Sequence, residues 1–250
     1  MIAPRKLIVN ADDFGFTRDV NAGILEAHQR GILSSTSLMA NGAAFDDAVR
    51  LARQNPSLDV GCHLVLVGGH TLLEPGRALP ARVRELAAAL AFRRIRVYEE
   101  LAAQVRKIIE AGIQPTHLDT HKHTHLWPPV LKTLARISQE FRIPWVRLPL
   151  LWRKRSRAFL RRHGCRTTDH FAGYRMTGRW SAEELARFIR ELPAGATELM
   201  CHPGRCGPEL RSAPTRLKES RQRELEALTA PETRAALEAA RVWLVRRRDL

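Results

Sequence analysis

Apolar and polar positions follow two alternating periods along this chain. Short runs of strand character lie at 6–10, 35–40, 59–67, 116–119, 144–148, 198–202 and 241–245. Between them the apolar spacing turns helical. Val20, Ile24 and Ala27 fall at i, i+4 and i+7, the repeat that gives a helix one buried face. Residues 45–53 read as a helix stopped by Asn55-Pro56. A helix over 99–111 aligns Leu101, Val105, Ile108 and Ile109, with Gly112 where a C-terminal cap belongs. Pro128-Pro129 opens another, with Val130, Leu134, Ile137 and Phe141 on one face. Ser181 and Glu184 form a capping box ahead of Leu185, Phe188, Ile189 and Leu192.

Strands that alternate with helices predict a parallel sheet. About seven of them in one domain over 1–250 predict an α/β fold, a TIM-barrel-like (β/α) barrel. Two stretches fit poorly. Residues 68–96 are rich in Gly, Pro and Arg and read as a long loop with a short helix; 167–180 is polar with no clear period. Excursions of that length often form binding loops.

Composition narrows the classes. A hydrophobic share of 44% excludes a disordered chain. No apolar run approaches the ~20 residues of a membrane span. The polar string Asn10-Ala11-Asp12-Asp13 comes too early for a signal peptide, and four cysteines are too few for a disulfide framework. The expectation is a cytoplasmic protein with reduced thiols. Lys+Arg number 41 against 26 Asp+Glu, a net charge of +15. The basic clusters at 93–96, 153–155, 161–162 and 246–248 read either as solvated faces or as a surface for acidic partners. They lack aromatic interleaving and zinc-finger spacing, which argues against nucleic acid.

The polar residues gather at the C-terminal ends of the expected strands, the rim where barrel enzymes place their chemistry. Asp12 and Asp13 are adjacent carboxylates, able to divide the tasks of ligating a cation and accepting a proton. The plain alternative is a helix-capping turn. His117, His121, His123 and His125 crowd into one stretch, more imidazole than a core needs, and neutral imidazole is a common metal ligand. His121, just beyond its strand, is the first choice as ligand; His123 and His125 are candidates to line a substrate site. His63 offers another imidazole, or a buried hydrogen-bonded one. His202 ends a strand and could donate a proton to a leaving group, or simply cap a turn. Asp169 sits in the polar loop as a candidate substrate contact. Cys62 and Cys201 read as core residues turned away from His63 and His202. The His117-x-Asp119 pair could also belong to an iron facial triad, although such sites usually sit on antiparallel barrels.

Together Asn10–Gly15, Gly61-Cys62-His63-Leu64, the cluster at 117–125 and Cys201-His202-Pro203 resemble the YdjC-like carbohydrate deacetylases over most of the chain. The stretches 34–42 and 63–67 resemble the hopanoid-biosynthesis branch, which acts on an N-acetylglucosaminyl lipid. The resemblance implies a divalent cation, Mg2+ or Zn2+, held by Asp13, His63 and His121. It also implies Asp12 as general base, His202 as general acid and Arg147 as the group that orients Asp12. The expected partner is an N-acetylated sugar or glycolipid, with a soluble chito-oligosaccharide as alternative. Peripheral contact with an anionic inner-membrane face and a homodimer are compatible with it.

Overall fold

The computed structural model describes residues 4–147 and 153–250. Strand β1 (Arg5–Phe14) leads through α1 (Arg18–Arg30) to β2 (Ser35–Leu38), then α2 (Phe45–Gln54) and β3 (Asp59–Leu64). The long excursion carries α3 (Val83–Ala91) and α4 (Val97–Glu110) before β4 (His117–Thr120). Next come α5 (Pro128–Glu140), β5 (Trp145–Val146), α6 (Arg153–Arg162), β6 (His170–Ala172), α7 (Ala182–Arg190) and β7 (Gly195–Cys201). Helices α8 (Pro208–Ser212), α9 (Glu219–Thr229) and α10 (Pro231–Ala239) precede β8 (Trp243–Leu244).

Every strand pairing is parallel, and seven strands lie side by side in the order β5-β4-β3-β2-β1-β7-β6. β8 lies off this path against the first half of β1, at Lys6 and Leu7. The segment that leads into β6 bridges β5 at Arg166. Its carbonyl accepts from Val146 N at 2.9 Å and its N–H donates to Pro144 O at 2.7 Å, so the sheet curls into the expected TIM-barrel-like form. All seven expected strands form, and β6 makes an eighth. β6 emerges from the stretch that shows no period, because three residues are too few to display one. Leu148, expected in the fifth strand, lies outside the described residues.

Local chemistry explains the elements. Thr17 caps α1 by accepting from Val20 N at 3.1 Å. The predicted box on α7 is formed: Ser181 Oγ accepts from Glu184 N at 3.2 Å, and Glu184 Oε2 accepts from Ser181 N at 2.9 Å. Leu7, Val9 and Ala11 on one face of β1 join Val20, Ile24 and Ala27 of α1 in one buried cluster. Full burial of each such Val, Leu or Ile contributes roughly 1.5–3 kcal/mol.

The opposite strand face is polar. Asn10, Asp12, Ser35, Ser37, His63, His117, Asp119 and Glu198 are all buried and bond to one another across the interior. A barrel of this kind is usually filled with branched apolar side chains; here paired polar groups fill it. Gly61 belongs to this layer: a Cβ there would lie 2.3 Å from the His117 ring. Cys62 and Cys201 are buried on the apolar side, as expected. The cluster at 246–248 departs from the solvated reading, because Arg247 is 2% exposed and enters the interior. Among the described residues no helix is long and apolar enough to cross a membrane.

Candidate active site and metal centre

The carboxylate pair is set by a break in β1. Ala11 pairs with Thr36 but Phe14 pairs with Leu38, so β1 holds one extra residue opposite β2. Such a bulge re-aims side chains that would otherwise alternate. Asp13 takes up the slack at φ 70, a left-handed conformation that costs an L-residue energy and clusters at functional sites. Both carboxylates therefore reach the barrel mouth, where a regular strand would turn one outward.

Asp13 Oδ1 is buried, with no hydrogen-bond partner among the described residues. It lies 3.0 Å from His121 Nδ1 and 3.3 Å from His63 Nε2, and those two nitrogens are 3.2 Å apart. Three potential ligand atoms thus converge within 4.8 Å of one another. The far nitrogen of His63, Nδ1, is 2.6 Å from Asp119 Oδ1. A carboxylate there fixes the tautomer that leaves Nε2 free to ligate. Charge agrees with geometry: Asp12, Asp13, Asp119 and Glu198 face the guanidiniums of Arg147, Arg221 and Arg247. Four carboxylates against three guanidiniums leave one negative charge, which the His63 proton balances in the ion-free protein and which a cation would balance in its place. The donor set fits a divalent ion, and one carboxylate with two imidazoles is the mix zinc accepts readily.

Asp12 belongs to a second group. Arg147 Nη1 donates to Asp12 Oδ2 at 2.8 Å and Nη2 to Oδ1 at 2.7 Å, a bidentate clamp. Asn10 Nδ2 donates to Oδ1 at 3.0 Å. Burial raises the Asp12 carboxyl, but Arg147 and His63 override it and hold the group far below the ordinary carboxylate range. Asp13 likewise stays well below that range despite burial, because the Arg221 guanidinium and His121 face it. His63 moves the other way: burial opposes its proton, yet Asp119 and Asp12 push it up to about 10.

His202 lines the same mouth with Nδ1 unpartnered. Burial, with Arg221 and His63 nearby, outweighs Asp13 and Asp12 and takes it down to about 4. The ring is therefore neutral near pH 7. Glu224 Oε2 accepts from its backbone N–H at 2.5 Å.

The remaining expectations divide. His123 sits at the mouth, its ring 5.0 Å from Tyr174 and 5.9 Å from Phe171. Left-handed backbone at Lys122 and His123 puts it there. His125 lies behind it, buried, with Nδ1 2.6 Å from Thr120 Oγ1, so it supports His123 instead of lining a substrate surface. Asp169 is not brought to the site. Its Oδ2 accepts from Ala196 N at 2.9 Å at the start of β7, level with Lys6 and at the opposite end of the sheet. The His117-x-Asp119 alternative does not form either: His117 Nε2 meets Ser37 Oγ at 3.1 Å and belongs to neither cluster of potential ligands.

Sequence reading missed Arg221 and Glu198, and offered Asp119 only as an iron ligand. Arg221 on α9 donates to Asp13 Oδ2, Asp119 orients His63, and Glu198 accepts from Arg147 Nε at 2.8 Å. Inward parity on β4 and β7 was the available signal for Asp119 and Glu198; α9 carries no signal for Arg221.

A parallel sheet curled around a polar core, with acids and imidazoles at its C-terminal mouth, places the candidate site where barrel enzymes carry theirs. The YdjC-like protein family profile matches residues 6–239, and the chain belongs to that family. It is 33% identical over 251 residues to a carbohydrate deacetylase of Brevibacillus brevis, covering 96% of this chain and 97% of the relative. A carbohydrate deacetylase of Geobacillus stearothermophilus is 34% identical over 253 residues, with 98% of each chain covered. Among solved structures, an Enterococcus faecalis protein provisionally described in terms of cellobiose-phosphate cleavage superposes with a TM-score of 0.86 at 26% identity, with 99% of each chain covered. A lactam utilization protein of Thermus thermophilus shares the fold at TM-score 0.55 and 18% identity, covering 96% of this chain and 98% of that one.

Proposed function

We propose that this chain is a metal-dependent hydrolase that removes the acetyl group from an N-acetylglucosamine-type sugar and releases acetate. The carbohydrate deacetylase relatives support the class. The observation that carries metal dependence is the convergence of Asp13 Oδ1, His63 Nε2 and His121 Nδ1 around a point no donor satisfies.

An acetamide is a poor electrophile with a poor leaving group. A divalent cation held by Asp13, His63 and His121 supplies Lewis-acid polarisation and an acidified water. The chain's own residues do the rest. Asp12, kept ionised by Arg147, accepts the proton of the attacking water. Asp119 keeps His63 in its ligating tautomer. Asp13, fixed by Arg221, presents Oδ1 to the ion. His202 takes a proton from solvent and passes it to the departing amine, and Asp12 returns the water's proton to solvent as acetate leaves. His123, with Phe171 and the half-exposed Tyr174, offers an aromatic wall to a sugar ring.

A lipid-linked sugar, such as a hopanoid glycolipid, is the substrate reading favoured by the resemblance and by charge. A net +15, with Lys154, Arg161 and Arg162 exposed on α6, suits approach to an anionic inner-membrane leaflet from the cytoplasm. Mass spectrometry after incubation with a lipid-linked N-acetylglucosamine and with diacetylchitobiose tests it. Loss of one acetyl from the lipid-linked sugar is expected. Faster loss from the soluble disaccharide would favour the chito-oligosaccharide reading, and loss from neither would remove the sugar deacetylase proposal.

A further inference from the structure

We propose that Arg247, from the far end of the barrel, is a positioning residue for the general base Asp12. The inference rests on the reading of Asp12 as base.

Arg247 follows β8 in a single 3₁₀ turn, Arg247–Asp249. Asp59 clasps that turn: Oδ2 accepts from Arg247 N at 3.1 Å and Oδ1 from Arg248 Nε at 2.8 Å. The Arg247 side chain then runs up the barrel interior and is 1% exposed. Its head divides between two routes. Nη2 lies 2.7 Å from Glu198 Oε1, the oxygen that also accepts from Arg147 Nε at 2.8 Å. The other two nitrogens of Arg147 clamp Asp12. Nη1 donates to Asn10 Oδ1 at 3.1 Å and to Ser35 Oγ at 2.9 Å. Asn10 Nδ2 in turn donates to Asp12 Oδ1 at 3.0 Å.

Both routes end on the same carboxylate, and each needs Arg247 for a physical reason. An asparagine amide can sit either way round, and its partners decide which. With Arg247 and the Ser35 hydroxyl both donating to Oδ1, the amide must turn Nδ2 toward Asp12. Without Arg247 that preference weakens and the Asp12 contact with it. On the other route Glu198 would be left with Arg147 as its one guanidinium partner among the described residues. Arg147 also lies 2.8 Å from Asp119 Oδ2, so three carboxylates would compete for one planar fork. A buried fork re-aimed by a fraction of an ångström no longer holds Asp12 in line with the water it must deprotonate, and losses of this kind appear in kcat. Among the described residues, Arg247, Asn10, Ser35 and Glu198 belong to neither group of potential metal ligands.

The test compares Arg247→Ala, Arg247→Lys and Arg248→Ala in the metal-loaded full chain, at a temperature where near-UV circular dichroism shows each folded. For Arg247→Ala, kcat should fall about tenfold or more with KM and metal content unchanged. Added guanidinium ion should restore part of kcat. Arg247→Lys keeps a charge near Glu198 but loses the fork, and should fall between. Arg248→Ala shares the Asp59 clasp without entering the barrel, so it should lose stability only, with no guanidinium response. If Arg247→Ala does not fold, Arg247→Lys decides alone: a wild-type kcat there overturns the proposal. So does a kcat loss in Arg247→Ala that guanidinium cannot restore and that Arg248→Ala reproduces. Asp12→Asn with full turnover would instead overturn the reading of the base, and this inference with it.

Discussion

Arg147 grips Asp12 through two parallel contacts, Nη1 to Oδ2 at 2.8 Å and Nη2 to Oδ1 at 2.7 Å, with neither residue more than 4% exposed by side chain. The pair is fully desolvated, so each half depends on the other. Removing the guanidinium by Arg147→Met takes from Asp12, Asp119 and Glu198 the buried cation they share, and should cost about 3–5 kcal/mol of stability. Asp12→Asn removes the base and should lower kcat by about 10²–10⁴, while metal analysis finds the ion still bound. Chemical denaturation and steady-state kinetics separate the two outcomes.

Metal binding should release protons. His63, pushed up to about 10 in the ion-free protein, carries a proton on the ring that must offer a lone pair from Nε2. Loading the ion at pH 7 displaces that proton. Calorimetric titration in buffers of different ionisation enthalpy should report about one proton released per ion. Zero protons released would mean that His63 is already neutral before the ion binds or does not ligate.

Stability of the ion-free protein should be greatest near neutrality and fall on both sides. His202 is lowered to about 4, and His117 and His125 lie well below the ordinary value, chiefly through burial. Below about pH 6.5 the unfolded chain binds protons that the folded chain refuses, so stability drops as pH falls. For His202 alone the loss approaches roughly 3 kcal/mol by pH 4. His63 has the opposite sign: its contribution is complete below about 6.5 and disappears as pH rises toward about 10. Thermal unfolding across pH 4–10 checks both limbs; bound metal should flatten the alkaline one.

Gly61→Ala probes the packing of the polar interior. The new methyl would stand 2.3 Å from the His117 ring, on a strand that cannot shift without breaking its ladder to β2 and β4. The expected cost is about 1–3 kcal/mol, read as a lower melting temperature. Unchanged stability would mean that the His117 ring has another place to go.

The candidate ligands were only partly legible in the residue pattern: His121 stands in a cluster of imidazoles too dense for a core, but the pattern left the division of roles between Asp12 and Asp13 open and allowed His63 as a buried hydrogen-bonded ring, so the set came from the family resemblance. The helices were legible because their outer faces meet water and their inner faces meet the sheet, so the period shows. The barrel interior was not. Ser35, Ser37, Asp119 and Glu198 face a buried polar network, so the usual rule that inward means apolar fails there. Arg247 sits in a run of three arginines and reads as surface; only the turn clasped by Asp59 sends it inward. Arg221 reaches Asp13 across 208 positions of sequence from a helix of ordinary polar residues. Asp169 misled because a polar loop near the expected rim hid the strand β6, whose start lies at the other end of the sheet.

The most direct test is metal content measured alongside acetate release on the same samples of wild type and His63→Ala, using an N-acetylated sugar. The account predicts about one ion per chain in the wild type, with both the ion and acetate release lost in the variant. Acetate release at the wild-type rate from His63→Ala stripped of metal would contradict it.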